Sequence, residues 1–128
     1  MPATRRPGRR AVSERAADYG DFEVRERLDR LIRVLGATQT ADLVGVSKSQ
    51  PARWRDGAER VSIQNLHTIM DLDYVISRLL LNWDAGVIPH WLNGHNPHVG
   101  GRPIEVLKRR GAMALLPALD ADDHGAYA

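Results

Sequence analysis

The chain acquires a regular apolar pattern near Phe22. From there, apolar residues recur three and four positions apart, the spacing of one face of an α-helix, and they are Val24, Leu28, Leu31, Ile32 and Leu35. Gly36 follows directly, and glycine readily takes the left-handed conformation that ends a helix. We therefore expect a helix over residues 22–35 whose apolar face belongs to a hydrophobic core.

A longer apolar pattern begins at Ser62 and runs to about Asn82. Its apolar residues cover more than one face of a helix, and they are Ile63, Leu66, Ile69, Met70, Leu72, Val75, Ile76, Leu79, Leu80 and Leu81. A helix that is apolar on several sides is buried on several sides, so this longest helix should be the spine against which both halves of the chain pack. An alternative use of the surplus apolar surface is the seam of a homodimer.

Between these two patterns, residues 38–54 (TQTADLVGVSKSQPARW) predict two short helices joined by a tight turn. The first helix would run from Thr38 to Val44, and Gly45 can adopt the positive φ that such a turn requires. Ser47, with Gln50 three residues later, fits a capping box at the start of the second helix. This order of turn glycine, apolar residue and cap is typical of a helix-turn-helix.

In a helix-turn-helix, the second helix enters the DNA major groove and its early residues face the base edges. The candidate base readers here are Lys48, Ser49, Gln50 and Arg53. Glutamine can pair with adenine and arginine with guanine, whereas Arg55 and Arg60 are expected to meet phosphates. Pro51 leaves an alternative open, because its missing donor would let the helix start nearer Gln50 and turn the presumed readers into loop residues.

Glycine and proline crowd the stretch at residues 91–111, WLNGHNPHVGGRPIEVLKRRG. This composition predicts a turn-containing loop and then a short helix from about Pro103 to Arg110. That helix ends in Lys108, Arg109 and Arg110, and one interpretation is a connector whose basic end complements the helix dipole.

Two further short helices are expected around this stretch. Asp84 would cap a helix over residues 85–92 that Pro89 bends or divides. A last helix over residues 112–119 would place Met113, Leu115 and Leu116 inward.

The two ends of the chain have little to bury. Residues 1–21 are rich in Arg, Ala, Pro and Gly, which predicts a disordered basic arm. Such an arm either follows a DNA minor groove or is a solvated tail without a partner. Residues 122–128 are expected to form an acidic polar tail. The net charge of +2 does not by itself indicate nucleic acid, although residues 1–60 carry 13 Lys/Arg against 9 Asp/Glu.

Composition argues against several functional classes. The 128 residues contain no cysteine, which excludes disulfides and thiolate chemistry and fits the cytoplasm. No apolar run approaches the roughly 18 residues of a membrane span. His90, His95 and His98 match no strong zinc spacing, although a small metal protein using them is a third interpretation. We see no catalytic constellation, so we expect neither an enzyme nor a cofactor.

The order of these segments resembles the Xre/MbcA/ParS group of bacterial antitoxins, which join an Xre-like helix-turn-helix domain to a C-terminal toxin-binding domain. The resemblance is carried by GVSKSQPARW (45–54), ERVSIQNLHTIMDL (59–72) and WLNGHNPHVGGRPIEVL (91–107). The third motif is the most specific, and together the three lie within about residues 28–119. Pro51 and the N-terminal arm depart from the family pattern.

The resemblance implies an all-α fold with a helix-turn-helix domain at 22–82 and a toxin-binding domain at 83–121. It also implies a RES-domain toxin that degrades NAD as the partner, with repression of the shared operon through operator DNA. The implied toxin contacts are Trp91, Leu92, Gly100, Gly101, Arg102, Pro103, Leu107, Lys108, Arg109 and Arg110. On this basis we expect Arg109 or Arg110 to reach acidic residues of the toxin active site while Leu107 anchors the interface.

The rival interpretation is a stand-alone transcriptional regulator whose C-terminal half dimerises or senses a ligand. It predicts strongly salt-dependent operator binding without a protein partner. The antitoxin interpretation predicts a stable complex with a toxin. We expect either a homodimer of this chain or a higher hetero-oligomer with the toxin.

Overall fold

A computed structural model describes the backbone of residues 7–126 and the side chains of residues 21–125. Within that range the fold is all-α, as the apolar periodicities predicted. The elements are α1 Pro7–Leu35, α2 Ala37–Val44, α3 Gln50–Arg55, α4 Ile63–Leu79, α5 Ile88–Asn93, α6 Pro103–Arg110, a 3₁₀ turn Ala112–Leu115 and α7 Leu116–Ala126. The only β-type pairing in this part of the chain is an isolated bridge between Asn96 and Gly101.

Helix α1 ends where the sequence indicated but begins much earlier. Gly36 follows its last turn with φ 87°, and its amide donates to the Ile32 carbonyl at 2.8 Å. The start at Pro7, rather than at Phe22, replaces most of the predicted disordered arm with helix. Alanine and arginine are strong helix formers, and extending an existing helix requires no new nucleation. Residues 1–6 of that arm lie outside the described residues.

The turn between α2 and α3 has the predicted glycine but not the predicted cap. Gly45 has φ 88°, and its amide donates to the Ala41 carbonyl at 2.8 Å. The capping box at Ser47 is wrong, because α3 begins at Gln50 and its N-terminus has no side-chain cap. Pro51 instead occupies the first turn of α3, where its missing donor costs nothing. The later start that Pro51 suggested is confirmed.

We predict that Gly45→Ala lowers the free energy of unfolding by about 1 kcal/mol, because a residue with a Cβ is strained in the left-handed conformation. The left-handed conformation at φ 88° disfavours any Cβ, and one added here would lie 3.2 Å from the Lys108 Nζ. Urea denaturation measures the change. Gly86→Ala is the matched control, because Gly86 does not have a positive φ and a Cβ there would contact nothing within 4 Å. Equal effects at the two sites would contradict the role given to the turn.

Helix α4 is the spine on which both halves of the chain pack. It contacts α1 and α2 from the first half and α6, the 3₁₀ turn and α7 from the second. It begins next to Ser62 as predicted, and the Ser62 hydroxyl caps it by accepting from the Asn65 amide at 3.2 Å. Its buried apolar residues are Ile69, Leu72, Val75, Ile76 and Leu79.

Three details of the α4 prediction are corrected. The helix stops at Leu79 rather than near Asn82, and α1 is longer. Of the residues assigned to its apolar faces, Ile63 is 74% exposed and Leu81 is 75% exposed. Ile63 lies in the first turn and Leu81 lies beyond the end of the helix, so neither is on the faces that the neighbouring helices cover.

The C-terminal helices keep their predicted order, although the ends of the helices before and after α6 differ from the prediction. Helix α5 starts at Ile88 and carries Pro89 in its first turn, so the proline neither bends nor divides it. Helix α6 has the predicted bounds. Of the three residues expected inward after it, Leu115 is buried and Leu116 is partly buried, but Met113 is 76% exposed.

The acidic tail predicted at 122–128 is helical as far as Ala126, within α7. Asp123 accepts from Arg78 Nη2 at 2.6 Å and from Asn82 Nδ2 at 2.8 Å. These two hydrogen bonds hold the pKa of Asp123 below its ordinary value. Asp122 accepts from Trp83 Nε1 at 3.3 Å. The carboxylates therefore attach α7 to the end of α4; residues 127–128 lie outside the described part.

The buried apolar side chains of both predicted domains form one cluster. It includes Leu28 and Leu72 from residues 22–82 and Ile104 and Leu115 from residues 83–121. The C-terminal half is thus built onto the same core as the N-terminal half, and α4 belongs to both.

Candidate interaction surfaces

Helix α6 divides sharply into an apolar side and a charged end. Its apolar side chains are buried in the core, and they are Pro103, Ile104, Val106 and Leu107. Its last turn carries Lys108, Arg109 and Arg110, all exposed. Gly111, with φ 84°, stops the helix directly after them. The core therefore fixes the helix and the three cations lie at its exposed end, which we call the basic end of α6.

This arrangement corrects part of the predicted toxin-contact set. Leu92, Pro103 and Leu107 have their side chains in the chain's own core, with Leu107 only 2% exposed. A side chain that fills the core cannot also anchor a partner. Of the other candidates, Trp91 is partly buried against the core and Gly100 is exposed.

Arg102 is a loop-fixing residue in this structure. Its Nε donates to the Asn93 carbonyl and its Nη2 to Asn93 Oδ1, both at 2.9 Å. Its Nη1 pairs with Glu105 Oε1 at 2.9 Å. Three donors of one guanidinium are therefore used to hold the start of α6 against the end of α5.

The loop between α5 and α6 closes on itself through backbone groups. The Asn96 amide donates to the Gly101 carbonyl at 2.8 Å, and the Asn96 carbonyl accepts from the Gly100 amide at 3.0 Å. The His98 amide donates to Asn96 Oδ1 at 2.9 Å. Gly100 permits this reversal because it has φ 71°. Gly101 thus serves the loop's own bridge, and the loop presents a fixed backbone surface beside α6.

Most cationic side chains between residues 21 and 125 have a carboxylate partner. The pairs are Arg27 and Arg30 with Asp73, Arg33 with Asp29, Arg53 with Glu59, Arg55 with Asp56, Arg60 with Asp21, Arg78 with Asp120 and Asp123, and Arg102 with Glu105. Within the same range, those without such a pair are Arg25, Lys48, Lys108, Arg109 and Arg110. Three of these five belong to the basic end of α6, so it is the largest group of uncompensated positive charge on the described surface.

Lys108 differs from its two neighbours in where it points. Its Nζ lies over Gly45, 3.2 Å from the position a Cβ would take there. Gly45 follows the last residue of α2, where the helix dipole favours a cation. Lys108 therefore connects the C-terminal half to the α2–α3 turn, which leaves Arg109 and Arg110 as the two cations of this end without a contact among the described residues.

The predicted DNA-contacting residues lie together around α3, and most are already engaged. Gln50 Nε2 donates to Glu59 Oε2 at 2.6 Å, and Arg53 Nη2 pairs with Glu59 Oε1 at 2.7 Å. Lys48 and Ser49 are exposed in the turn before α3 rather than on the helix.

The two arginines predicted to contact phosphate are paired as well. Arg55 pairs with Asp56 at 3.0 Å, which raises the pKa of Arg55. Arg60 pairs with Asp21 at 3.2 Å.

Sequence reasoning missed Glu59, the residue that joins two of the candidate readers, because nothing in its local pattern marks it. A carboxylate six residues after Arg53 would have been a signal only if the chain were known to fold back there.

The three loop histidines do not form a ligand set. No group of three or more His, Asp or Glu side chains that could hold a metal ion occurs in the described residues.

Among the described residues, none of the helices combines the length and the apolar composition of a membrane span.

Comparisons with models of protein families, with curated proteins and with solved structures found no match for this chain. Function must therefore be inferred from the chemistry of the basic end of α6, from the α3 surface and from the motifs themselves.

Proposed function

We propose that this chain is an antitoxin of the RES–Xre type, which binds a RES-domain NAD-degrading toxin through the basic end of α6 and blocks its active site. The observation that carries the proposal is the exposed Arg109 and Arg110, which have no carboxylate partner among residues 21–125 and lie at the end of a rigidly packed helix. The resemblance of the motif at 91–107 supports the family, and the exposed cations support the contact.

Charge and rigidity make this end of the molecule suited to a protein partner. Arginine forms paired, charge-assisted hydrogen bonds with carboxylates, so acidic residues around a toxin active site are appropriate partners. The buried side of α6 holds the backbone in place, which limits the conformational entropy lost on binding.

Met113 takes the place of Leu107 as the proposed apolar anchor. Leu107 is in the core, but Met113 is 76% exposed and follows Arg110 by three residues. Methionine adapts its shape to irregular apolar surfaces and recurs at binding surfaces. The proposed contact therefore consists of Arg109, Arg110 and Met113.

The test is the double charge reversal Arg109→Glu/Arg110→Glu. We expect binding of the RES-domain toxin encoded beside this chain to weaken by roughly tenfold or more, because attraction becomes repulsion at the same positions. Titration calorimetry and NAD levels in cells that express both proteins measure the two consequences. Arg25→Glu/Arg33→Glu is the control, since it makes the same change in net charge at two exposed positions on α1. Unchanged protection of cells by the α6 variant would reject the assignment.

A second activity, DNA binding through α2 and α3, is favoured by a separate observation. The two helices pack on each other and on α1, with the positive-φ Gly45 in the turn that joins them. Lys48 and Ser49 are exposed at the approach to α3. We propose that this unit is an Xre-like helix-turn-helix that represses the shared operon, with operator DNA as its ligand.

The stand-alone regulator is the weaker proposal. Its DNA face would have to bind tightly without a partner, yet Arg53, Arg55 and Arg60 each face a carboxylate. A lysine or arginine contacts a phosphate by replacing the counterions condensed on the DNA, and a cation already paired with a carboxylate is less available for this. The expected homodimer stays a prediction; Ile63, Leu80 and Leu81 provide exposed apolar surface for it.

A further inference from the structure

Glu59 contacts the two side chains that are best suited to read DNA bases, Gln50 and Arg53. One carboxylate oxygen accepts from Gln50 Nε2 at 2.6 Å, and the other pairs with Arg53 Nη2 at 2.7 Å. Glutamine reads adenine, and arginine reads guanine, through two hydrogen bonds each. The carboxylate takes one donor from each side chain and so holds both of them against the turn that follows α3.

The backbone holds Glu59 in this place. Gly57 has φ 79° and turns the chain back directly after α3. The Ala58 and Glu59 amides then both donate to the Arg53 carbonyl, at 2.9 and 3.4 Å. Trp54, only 3% exposed, anchors α3 on the core beneath this turn. The contact with Gln50 and Arg53 is thus part of a defined turn rather than a chance meeting of surface side chains.

Most of the positive charge on this surface is compensated in the free chain. Arg53, Arg55 and Arg60 each face a carboxylate. In the described residues Lys48 has no such partner, nor does Arg25, whose Nε donates to the Arg55 carbonyl at 2.9 Å. Glu59 is the carboxylate that contacts the candidate base readers themselves. DNA phosphates would be repelled by it and attracted by an Arg53 released from it.

We propose that Glu59 is an internal competitor of DNA: it occupies Gln50 and Arg53 in the free chain and must be displaced before α3 can read bases. The inference rests on the proposed DNA-contacting role of α3 and is independent of toxin binding by α6. Arg53 is 54% exposed and Glu59 is 41% exposed at the side chain. An ion pair this exposed is weak, so displacement requires only a modest free energy.

The test compares Glu59→Gln with the unchanged chain in binding a fluorescein-labelled duplex of mixed sequence, about 20 base pairs or two helical turns long. At low salt we expect roughly fivefold tighter binding by the variant, the effect of removing one weak exposed pair. The slope of log Kd against log salt should steepen by about one, because Arg53 becomes available to a phosphate. Glu105→Gln is the matched control, since it breaks the exposed Arg102–Glu105 pair and makes the same change in net charge on α6.

An NMR measurement on the free chain checks the contact without DNA. The side-chain amide signals of Gln50 should shift in Glu59→Gln and stay in place in Glu105→Gln; unmoved signals would overturn the proposal. Equal gains in DNA binding by both variants would overturn it too, since net charge alone would then explain them. Weaker binding by Glu59→Gln would show that Glu59 positions the readers instead. If no form binds duplex, the α3 proposals fail, and toxin titration still decides the antitoxin assignment.

Discussion

Leu107→Ala is expected to lower the free energy of unfolding by about 3 kcal/mol. Leu107 is 2% exposed and belongs to the buried cluster shared by both halves of the chain. Removing its branched end forfeits apolar burial and leaves a cavity that the packed helices fill only in part. Urea denaturation followed by far-ultraviolet circular dichroism measures the loss.

Met113→Ala is the natural comparison for this substitution. Met113 is 76% exposed on the 3₁₀ turn after α6, so its loss should change stability by less than about 0.5 kcal/mol. Under the proposed antitoxin function, toxin binding should weaken in Met113→Ala and stay unchanged in Leu107→Ala, measured at temperatures where both variants are folded. A fully stable Leu107→Ala that no longer binds toxin would return Leu107 to the interface and contradict the contact set proposed above.

The contrast between these two residues shows what sequence alone could provide. The motif at 91–107 singles out Leu107. A motif marks residues that either the fold or a partner requires, but it does not tell these two requirements apart. The boundaries of α6 followed from Pro103 and Gly111, and its basic last turn was visible directly. Which side of that helix faces the core depends on α4 and the 3₁₀ turn, and no local pattern contains that information.

Local backbone chemistry was the most predictable part of the fold. The positive φ values of Gly36 and Gly45 and the start of α4 next to Ser62 were expected and are present. Each depends on residues within one turn of chain. The Ser47 cap failed for an equally local reason, since Pro51 suits the first turn of α3 better than its middle.

Contacts between distant residues account for most of what sequence analysis missed. Asp122 and Asp123 looked like a solvated tail, yet they bond Trp83 and Arg78 and extend α7. Glu59 looked like an ordinary surface charge. Composition treats such residues as solvated because it cannot show which cation lies opposite them in the fold.

The most buried of these distant contacts is made by Asp73, and Asp73→Asn is expected to lower the free energy of unfolding by about 2–3 kcal/mol. The side chain is 1% exposed, and three short hydrogen bonds join it to α1. Arg27 Nη1 donates to Oδ2 at 2.7 Å, Arg30 Nε to Oδ1 at 2.8 Å and Arg30 Nη2 to Oδ2 at 2.9 Å. The amide would lose the charge and one acceptor while two guanidinium groups stay in place. Both are partly exposed, so water offsets some of the loss.

Asp42→Asn is the matched control, because Asp42 is exposed on α2 and should change stability by less than about 0.5 kcal/mol. Similar losses from both substitutions would indicate a general charge effect rather than a fixed link between α1 and α4. The sequence does not show this link, because Arg27 and Arg30 belong to another helix than Asp73.

The pH dependence of the same variant tests the electrostatic origin of this link. Burial by itself would raise the pKa of Asp73, but the hydrogen bonds and charges of Arg30 and Arg27 outweigh it and lower the pKa below its ordinary value. A lowered folded-state pKa adds stability that is fully present above the unfolded-state value, about 3.9, and is lost as pH falls through the folded-state value. The stability difference between the unchanged chain and Asp73→Asn should therefore be constant near neutral pH and shrink below about pH 4. A difference that stays constant down to the acid limit of folding would show that shape, not ionisation, makes Asp73 stabilising.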